Sequence, residues 1–192
     1  MKTIRLLITA ALMIVALGIT GCDSSVPAGQ QTPAVADNKA SEQSQSGQNT
    51  VSVPGKTMQL VVYYATKDAM YLVPEIHKVP VNSHPARTAI ELLLAGTKNP
   101  ELVSVVPEGA QLRKLSVKDH IAYADFNEKL IKKNGGGSTS EILLVGAIVN
   151  TLTEFPDIQQ VQILVNGKKI ETISGHMDTS EPLSRSEKII KK

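Results

Sequence analysis

The sequence predicts an α+β domain: a two-layer sandwich in which two main helices cover one face of a mainly antiparallel sheet, in the order ββ-α-ββ-α-ββ. Three observations carry this. Around an Asn166-Gly167 turn, Val161, Ile163 and Val165 alternate with other residues, the pattern of a tight hairpin. Two stretches, one after Pro85 and one after Gly137, carry apolar residues at three- and four-residue spacing between helix start and stop signals. Pairs of short runs with β-branched or aromatic residues precede each helix and follow the second.

Met58 to Tyr64 is β-branched and aromatic enough for the first strand. Ala69 to Val81 is a second extended segment, and Pro74 and Pro80 place it at a sheet edge because proline has no N–H to donate. Ser83-His84-Pro85 opens a helix with a cap residue and an early proline; Ala86, Ile90, Leu93 and Leu94 form its buried stripe and Gly96 stops it. Leu112 to Val117 and Ile121 to Phe126 flank Lys118-Asp119-His120 as a hairpin. Its second strand sets Ala122, Ala124 and Phe126 against Tyr123 and Asp125.

Gly135-Gly136-Gly137 then breaks the chain. Ser138-Thr139-Ser140-Glu141 reads as a capping box, in which the Ser138 hydroxyl and the Glu141 carboxylate satisfy each other's free amides. Ile142, Val145, Val149 and Leu152 make the stripe of a helix that Pro156 ends. The last hairpin returns from Lys168 to Ile173, with Ile170 opposite Ile163.

The ends of the chain carry an address. Met1 to Arg5 is a short basic start, and Leu6 to Thr20 is an uncharged apolar run, shorter than the roughly 20 residues that span a bilayer. It reads as a secretion signal over residues 1–21. The run stops at Ile19-Thr20-Gly21-Cys22, which resembles a bacterial lipobox. That resemblance implies cleavage before Cys22, a diacylglycerol thioether on its sulfur and acylation of the new amino terminus. Small residues pass a narrow processing site, and a thiolate is a good nucleophile for receiving a lipid. Stable anchoring takes at least two chains, so the lipid on Cys22 is expected to hold the protein at the extracytoplasmic face of the cell membrane. Residues 22–55, the lipidated Cys followed by a Ser-, Gln- and Pro-rich stretch without an aromatic, are expected to form a disordered tether, with an end-to-end distance of roughly 30 Å. A single domain fills 56–183, and the basic segment 184–192 is expected to fray.

Charge and composition exclude several classes. Removing residues 1–21 takes Lys2 and Arg5 and no acid from 20 bases and 18 acids, so the mature chain is balanced and nucleic acid has no electrostatic case. One cysteine and four scattered histidines supply neither an internal disulfide nor a zinc set, and no cofactor is expected. The glycine run lacks the following lysine of a P-loop. No serine sits in a G-x-S-x-G elbow, and Asp125 with Glu128 has no second carboxylate at a defined separation across a cleft. His176-Met177-Asp178, by contrast, puts an imidazole and a carboxylate two residues apart in a polar, glycine-led segment beyond the last strand. Loops of that kind often carry function on a rigid scaffold, so His176 and Asp178 are the candidate binding loop.

Successive motifs resemble the GerM-type sporulation and spore-germination domain. They are Val79-Pro80, Glu91 to Gly96, Pro107 to Leu112, Tyr123-Ala124-Asp125-Phe126, Asn150 to Pro156 and Gly175 to Leu183. The resemblance runs in order through nearly the whole folded region. It implies the small ring-building α/β fold, of which the best-described members carry two copies while this chain has room for one, and it brings no catalytic residues. It also suggests that Phe155 packs beneath the turn and that Asn150 and Thr151 bond a neighbouring strand.

The expected function is therefore that of a non-enzymatic, membrane-anchored interaction module of the cell envelope, linked to sporulation or germination. An envelope protein is its expected partner, with a homo-oligomer also in view. The alternative is a binder of peptidoglycan or another small envelope ligand, for which Tyr63, Tyr64, Tyr71 and Tyr123 are the stacking residues.

Overall fold

The structure, a computed structural model, describes residues 55–132 and 137–192. The expected signal sequence, Cys22, the expected tether as far as residue 54 and two of the three consecutive glycines lie outside the described residues.

The α+β class holds, with mainly antiparallel strands divided between two sheets. In the first, β1 (Thr57–Thr66) pairs antiparallel with β2 (Leu72–Pro80) from Thr57↔Pro80 to Ala65↔Leu72. On its other side β1 pairs only at Ala65 and Thr66, with the short β3 (Leu102–Val103). Pro74 and Pro80 do lie on an edge strand, which runs unbroken through Pro74 from Leu72 to Pro80 and so starts later than Ala69 and ends just before Val81. Between β1 and β2, Ala69 turns with φ 54° while the Asp68 carboxylate accepts from the Met70 amide at 3.2 Å.

The second sheet is β4 (Leu112–Lys118), β5 (Ile121–Phe126), β6 (Gln160–Val165) and β7 (Lys168–Lys169), with β8 (Leu183–Ser184) also on β6. The β4–β5 hairpin turns through Asp119 and His120, both at positive φ as a two-residue turn of this hand requires. Asn166 and Gly167 do the same between β6 and β7, at φ 50° and 78°. β5 and β6 are parallel, because helical chain separates them and brings the strand back in the same direction. The return strand is shorter than its pattern suggested. It pairs Val165↔Lys168 and Leu164↔Lys169 and ends there, so Ile170 lies one step past the ladder on the register that would have faced Ile163.

Helix α1 (Pro85–Ala95) begins at its proline, with His84 as N-cap and no side-chain cap, and buries Ala89, Ile90 and Leu93. A short helix, α2 (Lys129–Lys132), follows β5. Helix α3 (Ser138–Leu152) departs from the picture of helices laid on one face of one sheet. It packs on β1 and α1 and also reaches β2 and β6, and it buries an unbroken run from Leu143 to Leu152. A helix apolar on all sides belongs inside a core, and Leu143, Leu144, Ala147 and Ile148 supply the sides outside the single stripe. Ile142, assigned to that stripe, is exposed. Where β3 stops covering the β1 edge, the Thr151 hydroxyl of α3 accepts the Tyr63 amide at 3.1 Å, so the helix satisfies a strand edge.

The segment 184–192 does not fray. The folded unit runs to Lys192. After β8, Glu187–Ile189 makes a 3-10 turn, Ile190 bridges Leu72 and the Lys191 amide donates to the Leu72 carbonyl at 2.8 Å. Its charge pattern concealed two apolar residues, Ile189 and Ile190, that pack against the core, and an arginine with partners waiting on α3 and β1.

Candidate functional site

The candidate loop is organised by a residue assigned elsewhere by sequence. Glu141, fully buried near the start of α3, does not close a capping box. Gly137 is the N-cap, no side chain caps the helix, and Ser138 is already helical. The carboxylate turns instead to residues 172–176. Oε1 accepts the Thr172 hydroxyl at 2.7 Å and the amides of Ile173 and Ser174 at 2.9 Å each; Oε2 accepts the His176 amide at 2.8 Å. The Thr172 oxygen in turn accepts the Gly175 amide at 2.6 Å, where φ is +90° and a side chain would be strained. Successive amides turned to one point form an anion-binding concavity; here the chain's own carboxylate fills it. Burial alone would raise the Glu141 pKa, but the Thr172 hydroxyl and the amides of Ser174, His176 and Ile173 outweigh it and hold the group below its ordinary value.

The far end of the loop is equally fixed. Buried Thr179 donates its amide to the Glu171 carbonyl at 2.8 Å and its hydroxyl to the Ile170 carbonyl at 2.9 Å. Its own carbonyl accepts from the buried Gln162 side chain of β6 at 2.9 Å. Asp178 Oδ1 accepts both the hydroxyl and the amide of Ser180, at 2.6 and 2.9 Å, and those two bonds lower its pKa in that order. His176 and Asp178 are both exposed and make no bond to one another, so the imidazole and the carboxylate are not a working pair. The result is a rigid polar loop presenting His176 to solvent.

The stacking residues divide. Tyr63 and Tyr64 lie in the core, with only Tyr71 exposed and Tyr123 half-buried on the second sheet. The Tyr64 hydroxyl donates to the Leu92 carbonyl at 3.0 Å, and burial followed by the nearby Glu75 charge pushes its pKa up to about 12. Asp125 accepts the Gly167 amide at 2.7 Å and lies 3.5 Å from the Arg113 guanidinium, which fixes the β6–β7 turn. Thr151 bonds the neighbouring strand as expected, whereas Asn150 exchanges two hydrogen bonds with the backbone of Ser186.

Two clusters escaped the linear reading. Glu75 and His77 stand two apart on one face of β2, with Oε1 and Nε2 2.8 Å apart but off the line of a hydrogen bond; Tyr64 lies beside the imidazole, ring centroids 6.0 Å apart. Thr97 donates to the other Glu75 oxygen at 2.8 Å. Period-two spacing on a strand was the available clue. The second cluster is centred on Arg185, which bonds the Tyr63 hydroxyl at 2.6 Å, Glu154 at 2.8 Å, the Asn150 carbonyl at 3.2 Å and Glu187, and stacks over the Tyr63 ring at 5.2 Å. Among the described residues, no group of three or more His, Cys, Asp and Glu is placed to hold a metal ion, and no helix is long and apolar enough to cross a membrane.

The family model for Germane, sporulation and spore germination, matches residues 61–171, more than half of the chain. The spore germination protein GerM of Bacillus subtilis is 30% identical over 141 residues; these are 69% of this chain and 38% of that protein, so the chain spans well under half of its relative. The first GerMN domain of that sporulation protein superposes with a TM-score of 0.57 at 24% identity, covering 67% of this chain and 98% of the domain. Its tandem GerMN domains give 0.55 at 24% identity over 77% of this chain and 51% of the pair. A candidate lipoprotein of Clostridium perfringens gives 0.50 at 24% identity, over 67% and 87%. The match takes in most of both sheets and the buried helix: the chain belongs to the Germane family of sporulation and spore-germination proteins.

Proposed function

We propose that this chain is a non-catalytic interaction module of the cell envelope, tethered through a lipid on Cys22 to the extracytoplasmic face of the membrane and acting in sporulation or spore germination. The family match supports the process, and the Ile19-Thr20-Gly21-Cys22 motif after its apolar run supports the tether. The observation that carries the non-catalytic reading is the Glu141 clamp. Enzymes leave an acid or base free to meet a substrate; here the buried carboxylate is saturated by four donors of the loop, and Asp178 is held by Ser180. A rigid loop with an exposed imidazole suits recognition of a protein surface, which gains from preorganisation.

The test has two arms. Mass spectrometry of protein from the membrane fraction is expected to find a diacylglycerol thioether and an acylated amino terminus on Cys22, and Cys22→Ala is expected to abolish both; a bare sulfur on membrane-bound protein defeats the tether. Site-specific photocrosslinking from position 176 in intact cells is expected to give a discrete protein adduct. Adducts to sacculi alone would replace the protein partner by a glycan.

A further inference from the structure

We infer that the folded domain itself docks on an anionic lipid surface, through the β1–β2 turn and the carboxy-terminal lysines beside it. The inference is compatible with the lipid tether proposed above, but its test does not depend on the lipid. Met70 and Tyr71 stand 58% and 42% exposed at the turn, two large apolar side chains on an otherwise polar hairpin end. The parallel bridge Leu72↔Ile190 and the Lys191 amide bond to Leu72 draw the end of the chain alongside them. Tyr71, Ile190, Lys188, Lys191 and Lys192 thereby line one open groove of about 580 Å³.

The acids there are already engaged. Glu187, the acid in the groove, is engaged by Arg185, and Lys67 nearby is paired with Glu101 at 3.2 Å. Asp68 is the opposing charge, tied to the Thr66 hydroxyl and the Met70 amide and feeling Lys191. Lys188, Lys191 and Lys192 make no ion pair with described residues, so three cations border two insertable apolar side chains in a chain whose mature charge is balanced. That is the composition of an interfacial anchor: apolar residues for the headgroup boundary, lysines for the anionic phosphates.

Reach is sufficient. The turn lies at the far end of the hairpin from Thr57, where the chain enters; ten residues of strand cover roughly 30 Å. Residues 23–55 can span at most about 110 Å, so a lipid on Cys22 leaves the turn within range of the bilayer. Such a tether also raises the local concentration into the millimolar range, where a weak contact suffices.

The experiment uses the processed chain, residues 22–192, carrying Cys22→Ala so that no lipid contributes. It is mixed with vesicles of equal parts phosphatidylglycerol and phosphatidylcholine, and with vesicles of phosphatidylcholine alone. Co-sedimentation is expected with the first and about a hundredfold weaker with the second. Each lysine near such a surface is worth roughly fivefold, so Lys188→Ala/Lys191→Ala/Lys192→Ala is expected to weaken binding about a hundredfold. Met70→Ser/Tyr71→Ser should weaken it while leaving its salt dependence. These side chains are exposed and Lys191 bonds through its backbone, so unchanged thermal unfolding certifies the fold. Equal binding to both vesicles, an unaffected triple variant, or binding to sacculi without binding to vesicles overturns the inference. Absence of lipid on Cys22 would overturn the tether and leave this result standing.

Discussion

At the scale of single residues, Glu141 has most to explain, because one carboxylate ties the first turn of a helix to a loop more than thirty positions later. Removing it strands the buried Ile173 amide and three further donors. Hydrogen bonds to a charged group are worth about 1.5–3 kcal/mol each, and the losses overlap. Glu141→Ala is therefore expected to cost about 3–5 kcal/mol in urea denaturation, and Glu141→Gln, which keeps the shape and one acceptor, about 2 kcal/mol. The pH dependence has a definite sign. Because the folded pKa lies below the unfolded value, the carboxylate contributes its full stability above the ordinary carboxyl range and loses it as pH falls through the folded value. The stability gap between wild type and Glu141→Gln should hold at neutral pH and close in acid. A gap that widened below pH ~4 would mean that the group is not held as the anion.

At the scale of elements, the sequence pattern located most strands and both main helices, because alternation and turn chemistry are local. Asn166-Gly167 and the Pro85 helix start are examples that needed no partner to be read. What it missed depends on the third dimension. A capping-box spelling at Ser138-Glu141 is satisfied equally well on paper by a helix start and by a loop brought in from residue 172, and only the fold chooses. The parallel β5–β6 pairing was invisible because period two is the same for either direction. Gly146 shows how tightly α3 is enclosed. A methyl there would overlap the Ile189 side chain and press on Leu72 at 3.3 Å. Gly146→Ala gains about 1 kcal/mol of helix propensity, yet overpacking costs typically 1–3 kcal/mol. The expected outcome is release of the end of the chain: the Lys191 amide, bonded to Leu72, should lose its protection from hydrogen exchange, and Ile189→Ala in the same chain should restore it.

At the scale of the whole molecule, the segment after β8 acts as a clasp joining pieces that the sheets do not join. Arg185 reaches β1 through Tyr63 and α3 through Asn150, with Glu154 just beyond the helix; Ser186 locks to Asn150, and Ile189 and Ile190 cover Gly146 and Leu72. Burial raises the Tyr63 pKa and its bond to Glu154 adds to this, while Arg185 pulls the other way, so the phenol stays neutral between a cation and an anion. A frayed tail could be removed at no cost. A clasp cannot: ending the chain after Leu183 exposes Leu72, strips the Asn150 side chain of its Ser186 partners and Glu154 of Arg185, and removes two packed isoleucines, each worth about 1.5–3 kcal/mol if fully buried and less at the partial burial here. The truncated protein is expected to lose about 2–4 kcal/mol and to unfold with a smaller denaturant slope, since it buries less surface. Arg185→Ala alone should give a fraction of that, about 1–2 kcal/mol, because its carboxylate partners are part-exposed and water screens them. Truncation without loss of stability would show that the clasp is ornamental and that the two helices α1 and α3 suffice to hold the two sheets together.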